Sequence, residues 1–263
     1  MYADNEVDMS RSNLSAVVSG VREPACLLGG WAVYATVNRN FKAEQGRNYI
    51  GSRDIDLGFH VDETWSDRQL LESAFSKSVE ILTGAGYYGV GPRLVQHRDL
   101  GTGRLLTEEE SKKHPRYETF DLFVDPITDR PHPRARALLG FDPIDEPLLA
   151  DVFSGSLFTV SERFGTKIML PRPEVLASMK VNSVLGRNTG DKRIKDIADI
   201  YALAWYSGTK FSSLKRAIHE ICDPGKISST ISKFADHDYD SVSRAIGIDK
   251  HEVSRVVAEL AEA

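Results

Sequence analysis

Two aspartates separated by one residue, Asp54 and Asp56, are the strongest candidates for chemistry in this sequence. Residues i and i+2 of a strand share a face, so the two carboxylates lie together while Ile55, Leu57 and Phe59 fill the opposite, buried face. Adjacent carboxylates repel each other, and burying an unpaired charge is costly. A divalent cation removes that repulsion, and Mg²⁺ prefers one or two carboxylates, waters and phosphates. The pair therefore predicts a metal site, with two solvated aspartates at a strand end as the alternative.

A glycine turn, Gly29-Gly30, is the second candidate. The apolar run 25–28 predicts a strand that enters this turn, and residues 31–37 predict the helix that leaves it. Amides at a helix N-terminus attract phosphate, and glycines permit its close approach. Ser52, just before the acidic pair, could also hydrogen-bond a phosphate oxygen. The alternatives are an ordinary strand-to-helix turn and a serine that shapes a loop.

The third acidic candidate is Asp121, which interrupts the apolar strand predicted at 117–124. A carboxylate beside Phe120 and Leu122 without a partner would be expensive to bury. A second metal ion or an incoming hydroxyl would supply that partner. Asp125, before Pro126 at the predicted strand end, is more simply explained as a turn-forming aspartate.

The elements that must position these residues change in character along the chain. Up to residue 170 the sequence contains both alternating and helical patterns of apolar residues. A polar loop is predicted at 38–49, and strands are predicted at 54–59, 94–97, 104–106, 117–124, 157–160 and 167–170. From residue 171 the patterns are helical, beginning with 174–185 and 191–206. The sequence thus predicts an α+β fold in which a mixed domain, 1–170, precedes an all-helical domain, 171–263.

Composition excludes several classes of protein. The chain has 263 residues, a net charge of −5 and a pI of about 5.8, which argue against a wholly basic nucleic-acid-binding domain. Its two cysteines, Cys26 and Cys222, are too few for a four-ligand zinc site and are expected to be buried free thiols. A polar N-terminus and the lack of long apolar runs predict a cytoplasmic protein without a membrane partner.

These motifs together resemble the DNA polymerase β-like nucleotidyltransferase superfamily, whose signature is a Gly-Gly or Gly-Ser turn, an Asp-apolar-Asp strand and a third acid on a later strand. The helical half, with Lys180 and the segment 191–200, resembles the AbiEii-type nucleotidyltransferase toxins of type IV toxin–antitoxin systems. The resemblance covers roughly residues 27–203 with gaps. The interval from Gly30 to Asp54 exceeds the usual spacing, so it requires an insertion at 38–49.

The resemblance implies a nucleotidyltransferase fold, with a mixed sheet flanked by helices, and a metal-dependent transfer of a nucleoside monophosphate from a nucleoside triphosphate to a hydroxyl. The cofactor would be Mg²⁺ or Mn²⁺. Asp54 and Asp56 would hold the metal ion on the triphosphate, and Asp121 would complete a second metal site and help to deprotonate the hydroxyl. The other implied nucleotide-site residues are Gly29, Gly30, Ser52, Lys180, Lys195 and Asp199.

The charged residues of the segment 191–200 also have a simple structural interpretation. Lys192 with Asp196, and Lys195 with Asp199, have i to i+4 spacing and would form ion pairs on a solvated helix face. Such pairs contribute about 0.2–0.5 kcal/mol each.

The toxin-like resemblance implies RNA as the acceptor, for instance a tRNA end, and a cognate antitoxin protein as a partner. Two alternatives stay open. One is a small-molecule acceptor such as an aminoglycoside, which the overall acidity favours because the antibiotic is cationic. The other is a non-catalytic nucleotide-binding partner protein. The basic residues expected along an RNA groove are Lys112, Lys113, Arg116, Arg187, Lys192 and Arg193.

Overall fold

The computed structural model describes residues 4–187 and 190–262, and the strands within this part of the chain form one mixed sheet. The strands are β1 (Cys26–Leu27), β2 (Ile55–Phe59), β3 (Tyr88–Val90), β4 (Arg93–Asp99), β5 (Leu105–Leu106), β6 (Thr119–Thr128), β7 (Ile144–Asp145), β8 (Phe158–Ser161) and β9 (Ile168–Pro171). The helices are α1 (Asp4–Gly20), α2 (Gly29–Gln45), α3 (Asp67–Glu72), α4 (Ala74–Gly84), α5 (Glu108–Lys113), α6 (Ala135–Leu139), α7 (Leu149–Phe153), α8 (Pro173–Val184), α9 (Asp191–Tyr206), α10 (Phe211–Ile221), α11 (Pro224–Ile231), α12 (Asp236–Ile246) and α13 (Lys250–Ala261).

The described chain divides into two compact units. The sheet unit comprises residues 4–31 and 51–171, and the helical unit comprises residues 32–50 and 172–262. This confirms the α+β class, with a mixed sheet accompanied by helices and followed by a helical C-terminal region. The junction at 171 lies next to the predicted boundary, although residues 32–50 group with the C-terminal helices. None of the helices in the described ranges is long and apolar enough to cross a bilayer.

The sheet order β3-β4-β6-β2-β1-β9-β8 places the acidic strand β2 near the middle, beside β6. β2 runs parallel to β6 and antiparallel to β1, whereas β4 runs antiparallel to β6. Ile55, Leu57 and Phe59 are fully buried, as the alternation predicts, and the Phe59 ring packs against Phe75 of α4. One face of β2 is thus core, and Asp56 lies on the other.

The polar loop predicted at 38–49 is wrong for most of its length, because α2 continues to Gln45. Val33, Val37 and Phe41 of α2 are buried and have helical spacing. The burial of these apolar side chains outweighs the polar character of the residues between them. The helix is followed by Gly46, whose φ of 71° suits glycine and whose N–H donates to the Lys42 carbonyl. The connection to β2 is therefore shorter than the sequence predicts.

The strand end predicted at residue 124 is also wrong, because β6 runs from Thr119 through Asp125 and Pro126 to Thr128. Proline normally disrupts a central strand because it lacks an N–H. Here the ladder with β4 ends at Val124 and the ladder with β7 begins at Ile127, so Pro126 lies between the two. Asp125 is consequently a strand residue and not a turn residue.

In the helical unit, α8 and α9 carry mostly buried residues. Pro173 starts α8, where its missing N–H costs nothing. An aromatic cluster packs the C-terminal part of the segment 32–50 against α9. The Phe41 ring makes edge contacts with the rings of Tyr49 and Tyr206, at 5.2 and 5.1 Å between centroids. Tyr49 is thereby fixed in the core of this unit.

Candidate active site

Three aspartates lie on or next to the central strands β2 and β6 of the sheet unit. Asp56 of β2 lies opposite Asp125 of β6 in the parallel register, and residues paired in this way project to the same face. Asp54 precedes Asp56 by two residues. Asp54 and Asp125 are largely buried, at 9% and 7% exposure. The close spacing and burial of these acids require compensation by positive charge.

Arg93, the first residue of β4, supplies positive charge to this group. Its Nε donates to Asp125 Oδ1 at 2.6 Å, and its Nη2 donates to Asp125 Oδ2 at 2.9 Å and to Asp54 Oδ2 at 2.7 Å. The guanidinium carbon lies 4.2 Å from the centroid of the Phe123 ring. Burial lowers the pKa of Arg93, but the hydrogen bonds and charges of Asp125 and Asp54 outweigh it and raise the pKa. Arg93 is a site residue that the sequence did not predict.

The glycine turn lies against the acidic strand. Gly29 has a φ of +59°, and a β-carbon built there would lie 1.7 Å from Asp56 Oδ2. The backbone is held in place by the Leu28 N–H, which donates to the Asp56 carbonyl at 2.8 Å. Gly30 follows in the first turn of α2, and Ser52 is buried in the connection before β2. The glycine turn therefore lies directly against Asp56. That the residues of the turn and the acids bind nucleotide stays a prediction.

The fit of these residues to a divalent cation depends on how many protein ligands the ion needs. Among the residues described, no group of three or more His, Cys, Asp or Glu side chains is arranged to hold a metal ion. Mg²⁺, however, needs only one or two carboxylates when waters and substrate phosphates complete its shell. Asp56 offers carboxylate oxygens directly against the turn at Gly29, where a β-carbon would meet them, and Asp54 lies two residues earlier in the chain. The arrangement therefore fits a metal ion that arrives with a phosphate ligand.

Asp121 lies elsewhere on β6, and the predicted convergence of Asp54, Asp56 and Asp121 is not found. The register pairs Asp121 with His97, four residues along the strand from Asp125. That separation is roughly 13 Å at the usual rise of a strand. Because β6 continues beyond residue 124, Asp125 occupies the place beside Asp56 that the sequence assigned to Asp121.

Asp121 instead begins a chain of hydrogen bonds across three strands. Its Oδ1 lies 2.7 Å from His97 Nδ1, and His97 Nε2 is hydrogen-bonded to the Tyr88 hydroxyl. Arg116 Nη2 lies 3.4 Å from Asp121 Oδ2. Burial, followed by the charges of Glu108 and Asp121, raises the pKa of Tyr88. A carboxylate, an imidazole and a phenol in this order can orient the imidazole and pass a proton.

The helical unit contains a second group of charges, centred on Asp196 and Asp199 of α9. Lys180 of α8 lies 2.7 Å from Asp196 Oδ1 and 2.8 Å from Asp199 Oδ2. Lys195 pairs with Asp199 Oδ1, and Arg187 Nε lies 2.9 Å from Asp196 Oδ2. Lys195, Asp196 and Asp199 are at most 4% exposed. The interpretation of these residues as a solvated helix face is therefore wrong.

Tyr49 joins this buried group and was missed because the sequence placed it in a polar loop. Its hydroxyl donates to Asp199 Oδ1 at 2.9 Å, and its ring centroid lies 5.1 Å from Lys195 Nζ. Burial and then the Asp199 charge raise the pKa of Tyr49. Burial lowers the pKa of Lys195, whereas for Lys180 the attraction of Asp196 and Asp199 overcomes burial and raises it. The roles of Lys180, Lys195 and Asp199 at a nucleotide stay predictions.

Several residues expected along an RNA groove already have acidic partners. Lys112 lies 2.9 Å from Glu108, and Arg193 lies 2.8 Å from the buried Asp238. Arg116 is different, because its side chain is 86% exposed while it approaches Asp121. The next residue, Tyr117, is 80% exposed. An arginine and a tyrosine in this state remain available to a ligand.

Comparison with known proteins gives one distant likeness. No family model and no curated protein matches this chain. Among solved structures, the chain is similar to an antigenic nucleotidyltransferase-like protein from Paracoccidioides brasiliensis, with 16% identity, a TM-score of 0.44, and coverage of 85% of this chain and 92% of that one. A likeness this loose assigns neither a family nor an activity to the chain.

Proposed function

We propose that this chain is a metal-dependent nucleotidyltransferase, which moves a nucleoside monophosphate from a nucleoside triphosphate to an acceptor hydroxyl with Mg²⁺ or Mn²⁺. The observation that carries the proposal is the position of Gly29 against the Asp56 carboxylate, on the face shared with Asp54 and Asp125. A phosphate group requires backbone that approaches closely, and its metal ion requires carboxylate oxygens at the same place. This site offers both.

Each residue has a defined task in the proposed reaction. Asp54 and Asp56 would hold the metal ion, which when bound would supply positive charge to the triphosphate and to the leaving pyrophosphate. The amides of Gly29 and Gly30, at the start of the 17-residue helix α2, donate to phosphate oxygens. The acceptor oxygen bonds to the α-phosphorus as the bond to the β-phosphate oxygen breaks. The proton of the acceptor hydroxyl passes to a carboxylate oxygen of Asp125. Asp125 thereby takes the role of proton acceptor that the sequence resemblance gave to Asp121.

For the acceptor, we favour RNA, including a tRNA end. Unpaired RNA bases stack on aromatic rings and on guanidinium planes. The exposed Arg116 and Tyr117 in the turn before β6 are suited to such stacking. An AbiEii-like toxin role with a cognate antitoxin protein rests on the sequence resemblance alone. A small-molecule acceptor such as an aminoglycoside is the second candidate, favoured by the net charge of −5.

A labelling experiment tests the function and separates the acceptors. The protein is incubated with Mg²⁺ or Mn²⁺ and each α-³²P-labelled nucleoside triphosphate, together with either total tRNA or mixed aminoglycosides. We expect label on RNA and released pyrophosphate, both lost in Asp56→Asn but kept in Asp62→Asn, whose carboxylate accepts hydrogen bonds from Thr64. Label on the aminoglycoside would support the second candidate. Nucleotide binding without transfer to either acceptor would overturn the enzymatic proposal.

A further inference from the structure

We propose that Arg93 is an internal counter-cation that occupies Asp54 and Asp125 until the nucleotide arrives, and that it then transfers to the triphosphate. This inference rests on the proposed function. It makes Arg93 a positioning residue that couples metal binding to nucleotide binding. The geometry that points to it is the three hydrogen bonds of one guanidinium to two carboxylates, one on β6 and one in the bend just before β2.

In the structure, Arg93 bonds to carboxylate oxygens that a divalent cation would also use. Its Nη2 lies 2.7 Å from Asp54 Oδ2, and its Nε and Nη2 span both oxygens of Asp125. A cation that binds Asp54 displaces this hydrogen bond, shares its oxygen or takes Oδ1 beside the guanidinium, and in the last two cases two positive charges lie close together and repel each other. A metal ion alone is therefore expected to bind weakly.

Binding of a triphosphate would remove the competition between Arg93 and the metal ion for Asp54. A guanidinium matches the oxygens of a phosphate as well as those of a carboxylate, in the same bidentate geometry. Asp54 would then be available to hold the metal ion, and Arg93 would exchange carboxylate bonds for phosphate bonds without losing a charged partner.

The stacking contact explains how Arg93 moves without becoming disordered. Phe123 lies two residues before Asp125 on β6, so its ring shares the face of the acids. The guanidinium rests 4.2 Å from the ring centroid. Sliding across this ring keeps the cation–π contact while the hydrogen-bond partners change. Phe123 therefore guides Arg93 between its two positions.

Metal-binding measurements test this coupling without turnover. Mn²⁺ affinity is measured by electron paramagnetic resonance and calorimetry for the wild type, Arg93→Gln and Arg98→Gln, with and without an α,β-methylene nucleoside triphosphate. Arg98 lies on the same strand but bonds to Gln96 and to the Gly103 carbonyl, so it is a matched control. We expect Arg93→Gln to bind Mn²⁺ alone about tenfold more tightly, and the analogue less tightly, while Arg98→Gln matches the wild type. Equal Mn²⁺ affinity in Arg93→Gln and the wild type would overturn the proposal.

A second variant keeps the test decisive if Arg93→Gln fails to fold. Phe123→Leu retains the guanidinium and every acid but removes the ring beneath it. It should bind Mn²⁺ with an affinity between those of the wild type and Arg93→Gln, and unchanged affinity would count against the proposal. The outcome is independent of the enzymatic proposal, which fails only if the wild type transfers no nucleotide. Tighter Mn²⁺ binding by Arg93→Gln would stand even then.

Discussion

Gly29 and Asp56 lie so close that no side chain fits between them. A β-carbon at residue 29 would come within 1.7 Å of Asp56 Oδ2 and 2.6 Å of its Cγ. The φ of +59° adds a backbone conformation that other residues rarely adopt. Glycine at this position therefore determines where the Asp56 carboxylate points, in addition to shaping the turn between β1 and α2.

The first prediction is that Gly29→Ala abolishes nucleotide transfer and weakens Mn²⁺ binding, because the new methyl group must push the Asp56 carboxylate aside. Gly46→Ala is the matched control, since Gly46 also has a positive φ, 71°, but no atom lies within 4 Å of the added carbon. The control should lose only about 1–2 kcal/mol of stability from backbone strain. Transfer assays measure the activity of both variants, and thermal unfolding measures their stability. An active Gly29→Ala protein would refute the site.

The second prediction concerns the third acid. Asp125→Asn should reduce kcat by about 100-fold or more, as expected for loss of a general base, because residue 125 faces Asp56 across the ladder. Asp121→Asn should have a smaller effect, since Asp121 bonds to His97 and lies four residues away along β6. The measurement is kcat and KM for each variant with a fixed acceptor. The reverse order of effects would restore Asp121 to the catalytic site.

The sequence predicted the parts of this site that depend on local spacing. Strand alternation predicts the buried Ile55, Leu57 and Phe59 with Asp56 on the other face, although Asp54 lies in the bend before the strand. Gly29 begins a helix, as the helical periodicity of the residues after it predicts. Asp125 and Arg93 depend instead on register between strands that are distant in the sequence. No local pattern records register, so the sequence favoured Asp121, which has the more conspicuous apolar neighbours.

The lack of long-range information in local patterns also explains why the burial of the charged residues of α9 was not predicted. The spacing of Lys195 and Asp199 predicts an ion pair, and that pair forms. What the spacing does not show is that Lys180 of α8 also reaches Asp199 and that the group is buried. Burial changes the energetics, because a buried charge that loses its partner is far more costly than an exposed one. Tertiary packing, which single-sequence patterns do not encode, decided the difference.

The third prediction addresses the hydroxyl of Tyr49. Tyr49→Phe removes its donor bond to Asp199 and keeps the ring beside Lys195, so it isolates the hydrogen bond. A hydrogen bond to a buried charged group contributes about 1.5–3 kcal/mol, and the free energy of unfolding should fall by that amount. Urea unfolding measures the change. Tyr239→Phe, in α12, is the comparison variant and should cost less, because Tyr239 contacts Phe234 through its ring, which the substitution keeps. A Tyr49→Phe protein as stable as the wild type would show that the bond contributes nothing.

The fourth prediction is a pH dependence that originates at Asp196. Burial raises the pKa of this carboxyl, but Lys180 and Arg187 outweigh burial, so its pKa in the folded protein lies below the ordinary 3.8. Above 3.8 the carboxylate is ionised in both states and its ion pairs contribute fully. As the pH falls below that value, the unfolded chain takes up the proton first, and the stabilisation is progressively lost.

Asp196→Asn should therefore lower the free energy of unfolding by about 3–5 kcal/mol near neutral pH, because Lys180 and Arg187 lose a buried counter-charge. The difference from the wild type should shrink as the pH falls through and below 3.8. Urea unfolding across this range measures both effects. Asp142→Asn serves as the control, since its ion pair with Arg136 is exposed and should contribute less than about 1 kcal/mol. A pH-independent difference between Asp196→Asn and the wild type would mean that the carboxylate charge is not what stabilises this cluster.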